Sequence, residues 1–173
     1  MHQKYTRQTN NKRNHKSSMQ ACWNQLNQDK KALSFSLCFQ DYLLDIEKIT
    51  GLPIQMKQRD KIQSALNSKT YTLLSTRERR NHKKAFNGKK HLLIGDWEEE
   101  TNQVWPKYTE NIYNEKGKLI RSIGQLYDFH HIIECSFGGD NLWWNMMPAK
   151  HPDQHQYGIH RKGGYAEKLF EIN

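Results

Sequence analysis

The chain has 173 residues, of which only 35% are hydrophobic. Its mean hydropathy is −1.01. No apolar run approaches the roughly 18 residues that a membrane span needs, so a membrane-spanning helix is not expected, while 11% aromatics with five Trp argue against general disorder. The formal charge of +9 is unevenly divided: residues 1–90 hold 19 Lys and Arg against 6 Asp and Glu, and residues 91–173 hold 8 against 12. A basic half predicts a polyanionic partner, most simply nucleic acid.

Residues 1–30 read as a basic, flexible arm. Five Lys and Arg stand in the first twenty residues with no acid, and no apolar core of a secretory signal is present. Residues 31–90 read as a helical basic region. In "KALSFSLCFQDYLLDIEKIT" (31–50), Phe35, Phe39, Tyr42, Leu43, Ile46 and Ile49 recur at three-to-four spacing, which predicts an amphipathic helix. Gly51 and Pro53 stop it. A second helix is expected over about 54–67. Ser75 and Glu78 form a capping box for a third, over about 76–87 and ending at Gly88. That helix carries Arg79, Arg80 and Lys83, a density of cations suited to tracking phosphates.

The texture changes near residue 90, the expected boundary of a second unit, 91–173. "HLLIGDWEEETNQVWPKY" (91–108) reads as strand, turn, strand, bending near Thr101-Asn102, and "ENIYNEKGKLIRS" as a hairpin turning at Asn114–Gly117. Three cysteines, Cys22, Cys38 and Cys135, are too few and too scattered for a disulfide framework. Reduced thiols are expected, hence a cytosol-like site of action, with Cys135 as a small core residue.

Five of the nine histidines fall between 130 and 160. "YDFHHII" reads as a strand, Gly138-Gly139 breaks it, "NLWWNMM" reads as a second strand, and Pro148 or Pro152 can open a helix. On a strand, His130 and His131 point to opposite faces and have different jobs. At least one of Trp143 and Trp144 is expected in the core. Glu134 reads as a rim carboxylate, with a supporting bond to a ligand histidine as the alternative.

The segments "HHIIECSFGG", "NLWWNMMP" and "HQYGIH" together resemble the HNH, or ββα-metal (His-Me finger), endonucleases, most closely the nuclease domains of bacterial polymorphic toxins. The resemblance covers about residues 75–165. It implies an α+β protein with a helical N-terminal part and a ββα-metal core. It also implies one divalent ion (Mg, Zn, Ni or Mn) held by three protein ligands with positions left open for substrate. His130, His155 and His160 are the implied ligands. His151 stands as an alternative, since His151 and His155 are four apart, whereas His155 and His160 need the helix to loosen near Gly158. His131 is the implied general base. An asparagine should orient it, with Asn145 favoured over Asn141. Arg161 and Lys162 are placed to hold phosphate.

The implied function is metal-dependent cleavage of DNA with little sequence specificity by an antibacterial or effector toxin, whose producer would carry an acidic immunity protein. Cleavage of RNA by the same site is a variant of this reading, and two further alternatives stand beside it. One is a phage, mobile-element or restriction HNH enzyme. The other is a non-catalytic zinc-stabilised nucleic-acid-binding module, with His151 as a fourth ligand.

Overall fold

The structure, a computed structural model, describes residues 34–170. The basic arm expected over 1–30 lies outside the described residues. The chain divides into two compact units, residues 1–40 and 41–173. In the first, the described residues 34–40 begin a helix, with Phe35 and Phe39 stacked at 5.9 Å. The second holds the rest of that helix and every element after it.

Helix α1 spans 34–50. Tyr42, Leu43 and Ile46 on its inner face are all buried, the spacing of an amphipathic stripe. Gly51 ends it at φ +70°, a left-handed position that glycine takes without a Cβ clash. Helix α2 is Met56–Ser68, burying Ile62 and Gln58, and the Gln58 amide donates to the Met146 carbonyl at 2.9 Å.

Helix α3 runs from Thr76 to Thr101. Its start is the expected capping box: Ser75 Oγ accepts from the Glu78 amide, and the Glu78 carboxylate accepts from the Ser75 amide at 2.8 Å. Its end corrects the expectation. Gly88 does not stop it, and residues 91–101 are helix rather than strand and turn. Phe86, Leu93, Trp97 and Thr101 are buried at spacings of seven, four and four, so the 3.6-residue period continues past residue 90. Gly88 and Gly95 each cost about 1 kcal/mol inside a helix. Burial of one Trp side chain outweighs that. The helix stops at Asn102, which is left-handed at φ 54°.

The expected hairpin is present, β1 (Ile112–Tyr113) against β2 (Leu119–Arg121), with the turn held by Asn114 Oδ1 accepting from the Lys116 and Lys118 amides. Strand β3 (Asp128–His131) pairs antiparallel with β4 (Met146–Ala149), placing His130 opposite Met147 and His131 opposite Met146. Two 3-10 turns, Cys135–Phe137 and Trp143–Asn145, fill the connection. After β4 come a π-helical segment, His155–Ile159, and helix α4 (Tyr165–Phe170). The class is α+β, with a helical N-terminal part followed by small antiparallel sheets. A core of Phe86, Leu93, Trp97, Trp105 and Met146 ties α3 to β4, with Trp143 packed against it and Trp144 also buried. No described helix is long and apolar enough to cross a membrane.

Candidate metal centre and general base

Alternation along β3 sends the two histidines to opposite sides. His130 faces α1 and the π-helical segment. Its ring lies 5.5 Å from that of His155 and 5.1 Å from that of His160, and those two rings are 4.9 Å apart. One ligand atom from each of the three lies within 4.8 Å of the others. The five-residue interval between His155 and His160 is accommodated by the π-turn: the His160 amide donates to the His155 carbonyl at 3.0 Å, an i to i+5 bond that stacks residues five apart on one face. Gly158 permits it, because a Cβ there would meet Ile49 Cγ2 at 2.6 Å and the Asp153 carbonyl at 3.0 Å.

The donor chemistry of the trio fits a cation. His130 is 1% exposed, its Nε2 lies 2.9 Å from the Tyr42 hydroxyl, and its Nδ1 is buried with no hydrogen-bond partner. An Nε2–H donated to the Tyr42 oxygen leaves a lone pair on Nδ1. A buried, unbonded ring nitrogen costs free energy unless something ligates it. Burial, reinforced by His155 and His160, holds His130 well below the usual imidazole range. Burial and His160 pull His155 down to about 4, and burial lowers His160 as well. All three are therefore neutral near pH 7, the form that binds metal. Glu134 Oε1 lies 3.5 Å from His160 Nδ1. It is 8% exposed rather than on the rim, and burial pushes its carboxyl up to about 8.

His151 lies beside the trio on its His155 side, where ligand atoms of Asp128, His151 and His155 fall within 4.8 Å of one another. Its Nδ1 is 3.8 Å from Asp128 Oδ2, and its amide donates to the Tyr108 hydroxyl at 2.8 Å. Asp128 itself is gripped by Arg121 through two bonds of 2.9 and 2.6 Å.

His131 faces α3, with its ring 4.7 Å from Phe86. Its Nε2–H donates to Asn141 Oδ1 at 3.0 Å, and the Asn141 amide nitrogen donates to the His82 carbonyl at 3.3 Å. The second bond fixes which end of the amide faces the ring. Nδ1 of His131 then carries the lone pair. Burial, only partly offset by that hydrogen bond, pulls His131 down to about 4, so the ring is neutral.

The expected orienting role of Asn145 is thereby corrected: Asn141 touches His131, and Asn145 does not. Asn145 is fully buried and ties the connection together. Its Oδ1 accepts from the Ile133 amide at 2.6 Å, and its Nδ2 donates to the Ile133 and Asp140 carbonyls at 3.0 and 3.1 Å. The polar groups of a sharp turn must be satisfied when water is excluded, and the amide carries both donor and acceptor for that. Gly139 completes the turn, since a Cβ there would lie 1.7 Å from the Ile133 carbonyl oxygen.

The expected phosphate cations are distributed differently. Arg161 makes a two-pronged ion pair with Asp45 at 2.8 and 2.9 Å, so its guanidinium is committed to α1 rather than open to phosphate. Lys162 is exposed, as are Arg79, Arg80 and Lys83 on α3. Lys90, further along α3, sits over the rings of Phe86 and Phe129 at 5.1 and 5.9 Å. It borders a cleft of about 540 Å3 lined also by Ile94, Arg121 and His155. The cleft therefore adjoins the trio at His155. Tyr42 and His82 were missed. Tyr42 reads only as one more apolar stripe residue, and His82 as one histidine in a solvated helix; neither has a local signal.

Models of known protein families return no match for this chain. Over 131 residues, 75% of this chain, it is 48% identical to a Bacillus subtilis (strain 168) protein named Toxin YxiD. Over 124 residues, 71% of this chain, it is 29% identical to a Dickeya dadantii (strain 3937) protein named probable deoxyribonuclease RhsB. The chain spans 23% of the length of the first relative and 7% of the second.

Proposed function

We propose that this chain is a metal-dependent endonuclease of the HNH type that hydrolyses DNA phosphodiester bonds with little sequence specificity, and that it acts as a toxin domain. The observation that carries the reading is the division of labour across β3: three neutral imidazoles converge on one face, while a fourth, oriented by an amide, stands on the other. The names of the two relatives, a toxin and a probable deoxyribonuclease, support the same reading.

His130, His155 and His160 would hold the ion, leaving positions open as a catalytic site requires. When bound, a divalent cation neutralises charge on the phosphate and on the departing oxygen. The chain's own groups do the rest. Tyr42 fixes the ring of His130. Asn141 fixes the tautomer of His131, so that Nδ1 takes a proton from the attacking water. Lys90 presents a cation on an apolar wall beside the site, suited to a phosphate flanking the one being cut. The exposed cations of α3 draw the polyanion in over a longer range. The partners that follow from the reading are DNA in the cytoplasm of a target cell and an acidic immunity protein.

The closed zinc module needs His151 as a fourth ligand, and His151 groups with Asp128 and His155 rather than with His130 and His160. Plasmid cleavage by the full chain, with and without chelator, tests the nuclease reading. Cleavage that stops with chelator and returns with added divalent metal is expected. Because water is the nucleophile, ends should be 5′-phosphate and 3′-hydroxyl. Intact DNA beside RNA bearing 2′,3′-cyclic phosphate would overturn the reading.

A further inference from the structure

On the opposite face of β3 from the trio, His131 is one of a second group of donors. His82 of α3, His131 of β3 and Cys135 of the first 3-10 turn each bring a ligand atom within 4.8 Å of the other two. The surrounding hydrogen bonds prepare both rings. His82 Nε2–H donates to the Gly139 carbonyl at 2.8 Å, and His131 Nε2–H donates to Asn141 Oδ1 at 3.0 Å. Each ring is thereby left one lone-pair nitrogen. An oxygen acceptor on the other ring nitrogen is the arrangement that orients metal-bound histidines elsewhere. Cys135 is free and part-buried.

We infer that His82, His131 and Cys135 form a second metal site, selective for a thiophilic divalent ion of the zinc class. Two imidazoles and one thiolate are a soft set, unlike the all-imidazole trio, and thiolate favours Zn over Mg or Mn. Zn–N near 2.1 Å and Zn–S near 2.3 Å imply donor separations of roughly 3.5 Å. The side chains therefore draw together by at most about 1.3 Å. On ligation the thiol releases its proton to solvent, and water fills the fourth position.

The consequence for cleavage rests on the nuclease reading. The lone pair of His131 can hold this ion or accept a proton from water, but not both. Zinc at the second site therefore switches the base off. The site itself stands apart from that reading, and so does its main test.

Cobalt(II) is titrated into the metal-free 173-residue chain and followed by absorbance. A thiolate ligand gives a near-ultraviolet charge-transfer band that an all-histidine site lacks. Two equivalents of metal are expected, with the band present in the parent. It should survive in His130→Ala and vanish in Cys135→Ala, and in His82→Ala it should need ~10–100-fold more cobalt. The variants with alanine at 82 or 135 keep the trio, so they should still bind one equivalent. A band that persists in Cys135→Ala would assign it to Cys22 or Cys38 and overturn the proposal, as would one equivalent with no band. In plasmid cleavage supported by magnesium, added zinc should inhibit the parent at ~10–100-fold lower concentration than Cys135→Ala. Equal inhibition of both would refute the switch while leaving the nuclease reading intact.

Discussion

The two asparagines offer the sharpest perturbation, because the structure gives them separate work. Asn145 is fully buried with three hydrogen bonds to backbone. Asn145→Ala strands the Ile133 amide and carbonyl and the Asp140 carbonyl. A buried polar group left unsatisfied costs ~1–3 kcal/mol. Asp140 is more exposed than Ile133, which keeps the sum near ~3–5 kcal/mol. For a unit of this size that lowers Tm by roughly 10–15 °C. Asn141→Ala removes one bond from His131 and one to the His82 carbonyl, both part-buried, so its cost is ~1–2 kcal/mol. Its effect should instead fall on cleavage. Freed from Asn141, His131 can place its proton on either nitrogen, and a loss of at least ~10²-fold is expected. Thermal unfolding of the metal-free variants followed by circular dichroism, beside plasmid cleavage at a temperature where each is folded, separates the two. If Asn145→Ala melted with the parent and lost activity while Asn141→Ala kept it, the assignment of Asn141 to the base would be wrong.

Four further outcomes are expected. His131→Ala should lose ~10²–10⁴-fold in cleavage yet retain the calorimetric binding of magnesium or nickel at the trio, since it faces away; loss of that binding would make it a ligand there. His130→Ala, His155→Ala and His160→Ala should each weaken that binding at least ~10-fold, whereas His151→Ala should leave it unchanged, and the reverse pattern would move the ligand set. Binding of DNA by a catalytically inactive His131→Ala chain should weaken steeply with salt through counterion release, with a smaller slope once Arg79, Arg80 and Lys83 are replaced by Gln; an unchanged slope would remove α3 from the interface. The metal-free protein should lose stability in acid. His130, His131, His155 and His160 all have folded pKa values below the unfolded ~6.5, so the unfolded chain binds more protons and stability falls as pH drops from about 6.5 through 4. His131 alone, shifted to about 4, contributes ~3 kcal/mol. Glu134, raised to about 8, acts in the opposite sense between about 4.5 and 8 and is outnumbered. Denaturant midpoints that were flat from pH 7 to pH 4 would contradict the buried, neutral imidazoles.

Much of the molecule was legible from residue order alone, and the reason is that the relevant forces are local. The stripe Tyr42, Leu43, Ile46 specifies a helix, Ser75 and Glu78 its neighbour's start, and Asn114 with Gly117 a hairpin turn. Strand alternation suffices to separate His130 from His131, and the interval of five between His155 and His160 already asks for a loosened turn near Gly158. Other features depended on neighbours far away in the chain. Residues 91–101 continue α3 because Leu93 and Trp97 find Trp105 and Met146 to pack against, a gain that glycine at 88 and 95 cannot signal. Asn141 and Asn145 are the same residue type four positions apart. Only the folded turn decides that one amide reaches a ring while the other is enclosed by backbone. Arg161 turns to Asp45, 116 residues earlier, and Tyr42 backs His130 across 88. Hydrogen bonds and ion pairs act over about 3 Å whatever the distance along the chain, so partnerships of that separation exist only once the elements have docked.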